Sequence, residues 1–149
     1  MKVLLACSPG GHLAQLYQLR PWWERHERTW VTFGHLQAES LLRGERVIPA
    51  FAPTTRNIPN AIRNLWLAIK VIRAERPDVL VSNGAGVAFP FFIVARLLGV
   101  CTVYLEVYDR ISRPTLTGRL CYPLAGLFLL QWPEQAGNYP RGKVIGALL

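Results

Sequence analysis

Short apolar runs alternate along this chain with longer segments whose apolar positions recur at helical spacing. Val3 to Cys7 is the first run and reads as a strand. A helix opens near Gly11, carries Leu13, Leu16 and Tyr17 on one face, and is ended or kinked by Pro21. The same alternation predicts strands at Trp30 to Phe33 and Arg46 to Ala50, with a short helix from Gln37 to Leu42 between them. A loop with Pro53 and Pro59 leads into a long helix, Asn60 to Glu75. Ile58, Ile62, Leu65, Ile69 and Ile72 form an apolar stripe expected to face the core. Pro77 stops that helix before a strand at Asp78 to Ser82. An apolar helix runs to about Leu98, capped by Gly99, before a strand at Cys101 to Val107. Thr117 to Leu124 reads as helix, Leu127 to Gln131 as strand, and Lys143 to Ala147 as a last short strand.

Strands that are apolar throughout need cover on both faces, and their alternation with helices is the pattern of a parallel sheet. The expected fold is α/β, a Rossmann-like parallel sheet with helices on both faces. At 149 residues it is a single domain, residues 1–149.

In such sheets ligands sit beyond the carboxyl ends of the strands. Two glycine-rich turns fall there. Ser8-Pro9-Gly10-Gly11-His12 follows the first strand and opens a helix. Glycines at that position leave backbone N–H groups unobstructed, and the helix start adds partial positive charge, which suits a phosphate or diphosphate. It is neither G-x-G-x-x-G nor a Walker loop, so an ordinary tight βα turn is the competing reading. Asn83-Gly84-Ala85-Gly86 forms the second turn, a further cradle for a diphosphate or a tight turn with Asn83 capping the next helix. His12, in a first helical turn, is biased toward neutral imidazole and reads as a general base or as a phosphate donor. Glu106, at the end of its strand, reads as a base, as a group orienting a sugar hydroxyl, or as the ion-pair partner of Arg110 or Arg113.

Charge and aromatics narrow the choice of partner. The net charge is +8, and five Trp are present. Excess base calls for an anionic partner: nucleic acid, an anionic membrane surface or a phosphorylated substrate. On the long helix Arg63, Trp66, Lys70 and Arg73 share one quadrant beside the apolar stripe, which is either an ordinary solvated face or a contact with anionic lipid. Trp22-Trp23 and the Phe89 to Ile93 segment are further candidates for lipid contact, with core packing favoured for the phenylalanines. Met1-Lys2 runs straight into the first strand, so no signal peptide is expected. The strongly apolar stretch from Leu120 to Pro133, interrupted by Pro123 and Gly126, is too short to span a bilayer. Cys7, Cys101 and Cys121 are unclustered, which argues against a disulfide framework or a zinc site and fits a reducing cytoplasm.

Three segments in order now carry a resemblance: Ser8 to His12, Ser82 to Gly86, and Gln131-Trp132-Pro133-Glu134-Gln135 with Asn138-Tyr139-Pro140 and Ile145-Gly146. Together they resemble the acceptor-side subunit of the two-component N-acetylglucosaminyltransferase of lipid-linked oligosaccharide assembly, whose bacterial relatives build exopolysaccharide or capsule repeat units. The first turn also resembles the glycine loop of the peptidoglycan lipid-intermediate transferase. The resemblance implies the N-terminal half of a GT-B glycosyltransferase, with the other half on a separate catalytic chain that holds a nucleotide sugar, a UDP-sugar. Ser8, Gly10, Gly11, Asn83, Gly84 and Gly86 would then approach the diphosphate of a polyprenyl-linked acceptor. His12 and Glu106 would be the catalytic candidates for an inverting transfer. It implies no metal, no cofactor beyond the nucleotide-sugar co-substrate and no nucleic-acid partner. Attachment would be peripheral, on the inner face of the plasma membrane, through the Trp66 face. The apolar end at Leu148-Leu149 suggests contact with the partner.

Two rival readings have distinct signatures. A scaffold recruiting a complete transferase to the membrane would not use His12 or Glu106 chemically. A dinucleotide oxidoreductase needs an acid near the end of the second strand for the ribose, and the chain instead reads Phe33-Gly34-His35.

Overall fold

β1 (Lys2–Ala6) lies inside a seven-stranded, wholly parallel sheet in the computed structural model, which describes residues 1–148. The other strands are β2 (Glu27–Thr32), β3 (Val47–Pro49), β4 (Val79–Ser82), β5 (Cys101–Leu105), β6 (Leu127–Leu130) and β7 (Lys143–Val144). Their spatial order is β3-β2-β1-β4-β5-β6-β7. The chain therefore winds outward from β1 in one direction, then returns and winds outward from β4 in the other. Register is fixed centrally by Leu4 opposite Thr29 on one side and Leu80 on the other.

The apolar strands are covered on both faces, as their composition requires. One face carries α4 (Ile58–Glu75), α5 (Ala88–Leu97) and α6 (Leu116–Cys121), packed over Leu4, Ala6, Leu80, Tyr104 and Phe128. The other carries α1 (Gly11–Tyr17), α2 (Arg20–Trp23) and α3 (Leu36–Leu41), packed over Val3, Leu5, Val81 and Leu105. Phe91 and Phe92 are fully buried, so the phenylalanines of α5 belong to the core. So does Trp23, whose ring meets Trp30 edge-on at 5.4 Å and lies under the Arg28 guanidinium at 4.8 Å. The adjacent Trp22 is partly exposed, so only that member of the pair is open to an external surface.

α4 corrects part of the expected core stripe: Ile72 is buried and Leu65 and Ile69 pack against the core, but the N-terminal members face outward. Its buried face is Asn60, Asn64, Ala68, Val71 and Ile72, while Ile58 and Ile62 are 73% and 53% exposed. The reason is local hydrogen bonding. Asn64 brackets the Phe51 peptide, accepting its N–H at 2.9 Å and donating to its carbonyl at 3.0 Å, and Asn60 donates to the Pro53 carbonyl at 2.8 Å. These amides tie the helix to the loop that precedes it, and the helix turns Ile58, Ile62 and Trp66 outward. Arg63, Lys70 and Arg73 are exposed on the same outer side. Among the described residues no helix is long and apolar enough to cross a membrane.

Element limits otherwise move by a few residues. β2 begins at Glu27, α2 follows α1 as a separate turn of helix, and a 3-10 turn spans Pro133–Gly137. Leu148 donates its N–H to Gln131 Oε1 at 3.0 Å and packs against the α1–α3 layer. Leu149 lies outside the described residues.

Candidate functional site

Winding reverses between β1 and β4, and the crevice above such a switch point is where open α/β sheets bind ligands. The two glycine turns leave the sheet on either side of it. They meet through His12 and Asn83: the Asn83 carbonyl lies 3.0 Å from His12 Nδ1, and Asn83 Nδ2 donates to the His12 carbonyl at 2.7 Å. A carbonyl oxygen can only accept, so Nδ1 carries the hydrogen and Nε2 keeps the lone pair. Burial holds the imidazole below the ordinary histidine range, with the Arg110 charge adding to it; the bonds to Asn83 and the Asp109 charge oppose without cancelling it. His12 is therefore neutral at neutral pH, with a basic nitrogen free.

The first turn is open. Gly10 adopts φ 90°, and its peptide is gripped by Gln37, which accepts its N–H at 2.6 Å and donates to its carbonyl at 3.3 Å. A methyl group added at Gly10 or Gly11 would meet nothing within 4 Å. No side chain caps α1, so the first-turn N–H groups of Gly11 and His12 lack acceptors within the helix.

The second turn is closed. Ser82 and Asn83 are fully buried, and Ser82 Oγ accepts the Gly84 N–H at 3.2 Å. Gly84 adopts φ +112°, and a Cβ there would lie 2.8 Å from the Tyr104 hydroxyl and 3.3 Å from His12 Cε1. At Gly86 a Cβ would lie 2.7 Å from both Cβ and the carbonyl oxygen of Thr54. The second turn is thus packed: Asn83 and the Gly84 N–H are engaged by His12 and Ser82, and Gly86 is backed by Thr54. Ser8 is half-buried beside the first turn and does not line the cleft.

A cleft of about 320 Å³ lies in front of His12, lined by Gly11, His12, Gln15, Val107, Tyr108, Asp109, Arg110 and Thr115. The Val107–Arg110 wall hangs from three buried glutamines. Gln15 Oε1 accepts from the Tyr108 N–H at 3.2 Å and from Gln131 Nε2 at 2.7 Å. Gln131 Nε2 also donates to the Glu106 carbonyl at 3.0 Å, and Gln135 Nε2 donates to the carbonyls of Val107 and Arg110 at 2.9 and 3.1 Å. Uncharged amides do this without placing a buried charge beside His12.

Glu106 has a different place from the one expected. Its side chain is wholly buried and accepts from the Val107 N–H at 3.0 Å, the Thr115 hydroxyl at 3.3 Å and the Tyr139 hydroxyl at 2.5 Å. None of the ion pairs among the described residues joins it to Arg110 or Arg113. Burial raises its pKa, while the Tyr139, Val107 and Thr115 bonds work in the opposite direction. Glu106 thus braces Val107 and Thr115 from behind the cleft and does not face it. Gly118 makes room for this: a Cβ there would fall 2.5 Å from both Glu106 Oε2 and the Tyr139 hydroxyl.

Arg63, Trp66, Lys70 and Arg73 take no part in the cleft and form a separate exposed face on α4. Residues that sequence spacing passed over are Gln15 and Thr115; Tyr108 and Asp109 belong to the Glu106 to Arg110 segment that follows its strand at the same sheet edge, and Gln131 and Gln135 to the Gln131 to Gln135 segment, without individual roles. A polar residue inside the apolar helical pattern of α1 was the available signal for Gln15.

Residues 36–148 match the family model described as oligosaccharide biosynthesis protein Alg14 like. The first turn and His12 precede that matched segment. The chain is 29% identical over 94 residues to the UDP-N-acetylglucosamine transferase subunit ALG14 of Homo sapiens, covering 59% of this chain and 44% of the human one. It is 32% identical over 120 residues to the subunit of the same name from Eremothecium gossypii, covering 73% and 53%. The chain thus spans about half the length of the curated relatives it matches. Among solved structures it is similar to Acinetobacter baumannii MurG, with TM-score 0.75 and 16% identity over 89% of this chain and 42% of that one. It is also similar to the UDP-GlcNAc 2-epimerase of Neisseria meningitidis, with TM-score 0.79 and 12% identity over 99% and 47%. At these identities the likeness concerns the fold, which is that of the Rossmann-like N-terminal domains of GT-B glycosyltransferases and epimerases. With the family model covering most of its length, the chain belongs to the Alg14-like family of oligosaccharide biosynthesis proteins.

Proposed function

We propose that this chain is the acceptor-binding half of an inverting glycosyltransferase and that a separate partner chain holds the UDP-sugar. One observation carries the reading: an Nδ1-protonated, neutral His12 lines an open cleft beside free first-turn N–H groups and Arg110. One further fact supports it: the relatives are named as transferase subunits.

In this reading the diphosphate of a polyprenyl-linked sugar sits between the Gly11–His12 N–H groups and the Arg110 guanidinium. His12 Nε2 takes the proton of the acceptor hydroxyl. The acceptor oxygen forms a bond to the anomeric carbon of the UDP-sugar, and the bond from that carbon to UDP breaks from the opposite side. UDP leaves with the electron pair, and no cofactor beyond the nucleotide sugar is consumed. Glu106 braces the wall and does not transfer the proton. The product would be a lipid-linked intermediate of a polysaccharide, such as an exopolysaccharide repeat unit.

The outer face of α4 serves peripheral attachment to the cytoplasmic side of an anionic membrane. Ile58, Ile62 and the 65% exposed Trp66 supply an apolar strip, and Arg63, Lys70 and Arg73 flank it. Transfer of labelled sugar from a UDP-sugar to a polyprenyl-diphosphate sugar tests the proposal. The co-purified pair is expected to turn over and this chain alone to be inactive; turnover without a partner overturns the split. Reversing Arg63 and Lys70 to Glu should cut binding to phosphatidylglycerol vesicles by tenfold or more, at about 1 kcal/mol per basic residue lost. Unchanged sedimentation would remove α4 from the membrane contact.

A further inference from the structure

We infer that Asn83 is a positioning residue that fixes the seat and tautomer of His12, and that the Ser82–Gly84 turn is built for this task and not for holding ligand. The inference rests on the reading of His12 as the base, and it deepens that reading.

The Asn83–Gly84 peptide unit is pinned at both ends. Its N–H donates to Ser82 Oγ, and its carbonyl receives the His12 Nδ1 hydrogen. Gly84 sustains that orientation at φ +112°, a conformation L side chains rarely adopt, and the Tyr104 hydroxyl stands where a Cβ would go. Two hydrogen bonds, one at each end, therefore hold this peptide with its carbonyl toward His12 Nδ1.

The side chain of Asn83 grips the same residue a second time, donating to the His12 carbonyl at 2.7 Å across 71 positions of sequence. Its Oδ1 is buried with no partner among the described residues. The side-chain contacts of the amide are therefore made by its NH₂ group alone. With no accessible surface, Asn83 has no route to a ligand. The amide binds His12 backbone, the peptide carbonyl binds His12 ring, and backbone and ring are held as one body. The result is a base whose lone pair is always on Nε2, where in free histidine the two tautomers exchange.

The test uses two variants, so that a folding failure in one leaves the other informative: Asn83→Ala removes the side-chain grip, and Ser82→Ala releases the peptide N–H. Imidazole 15N shifts of the full chain, recorded above the His12 titration, read the tautomer directly. Wild type is expected to show a protonated Nδ1 and an unprotonated Nε2, and each variant a mixture. In the reconstituted pair kcat should fall about 10- to 100-fold, the range for a misplaced catalytic group, with acceptor KM little changed. An unaltered 15N signature in both variants overturns the inference, as does a raised acceptor KM at unchanged kcat, which would mean that the turn holds ligand after all. A shifted tautomer with unchanged kcat supports the positioning role and instead overturns His12 as the base, so the two failures are told apart.

Discussion

Ser8–His12 follows β1 and Ser82–Gly86 follows β4, and each puts glycine where a strand hands over to a helix. Around Gly10 and Gly11 there is open space, whereas Gly84 and Gly86 are backed by Tyr104, His12 and Thr54 at contact distance. The same residue type serves access in one turn and packing in the other. A glycine-rich turn at the carboxyl edge of a parallel sheet therefore marks a place in the fold. What it does there depends on which side chains fill the space in front of it, and these come from elements far away in sequence.

His12 joins the two turns, and its substitution is the largest test of the difference between them. His12→Gln is expected to lower kcat of the reconstituted pair by about 10²- to 10⁴-fold, the usual contribution of a general base. Near-normal kcat would favour a chain that recruits a complete transferase without chemistry of its own. The pH profile sharpens the point. A base must be neutral, so activity is lost as pH falls through the His12 pKa, which burial sets below 6.5. The acidic limb of kcat should lie under that value and vanish in His12→Gln; a limb at or above it would mean that another group titrates.

Next in size is the contrast between the glycines themselves. Gly84→Ala forces a side chain into a left-handed conformation and against Tyr104, which should destabilise the chain by about 2–4 kcal/mol in denaturant unfolding. Gly11→Ala, in open space at a helix start, should leave stability within about 1 kcal/mol of wild type, on the favourable side if it moves. Its effect should appear instead as a raised KM for the diphosphate acceptor, because a methyl group then stands over the N–H groups. Equal unfolding midpoints for the two variants would erase the distinction between open and closed turns.

Much of this arrangement was legible in the sequence. Apolar runs and helical spacing identify the parallel sheet, and both turns stand where the pattern switches from strand to helix. Side chains that break the equation of polar with exposed were not legible. On α4 the stripe of Ile58 and Ile62 satisfied helical periodicity, yet Asn60 and Asn64 are the buried positions because each completes the hydrogen bonding of the Phe51–Pro53 loop. Asn83 read as a ligand donor for the same reason, its polarity, and is spent on His12. Gln15 and Gln131 meet across 116 positions, a pairing that no local spacing encodes. Glu106 stood at the right strand end, but its three hydrogen-bond donors come from Val107, Thr115 and Tyr139, and only the fold brings Tyr139 beneath it.

That last residue gives the smallest and most specific prediction, and it asks whether the wall facing His12 is fixed as firmly as the mount behind it. Burial raises the Glu106 pKa above 4.5, so the folded chain binds this proton more tightly than the unfolded chain does. By linkage, the contribution of Glu106 to stability is fully present below the unfolded pKa and declines as pH rises through the folded one. Glu106→Gln removes the titration while keeping the shape. Its carbonyl can accept from Val107 and Thr115, and its NH₂ can donate to a Tyr139 hydroxyl turned to accept. The variant should therefore fold as well as wild type at neutral pH and lose the part of the pH slope that lies above 4.5. Glu106→Ala leaves three donors without an acceptor and should lose stability at every pH, by about 1–3 kcal/mol for each donor left buried and unpaired. If the wall is only shaped by these bonds, Glu106→Gln also keeps transfer activity. A large loss of kcat in a well-folded Glu106→Gln variant would mean that the carboxylate takes part in the reaction after all, and the wall would then be chemical and not only structural.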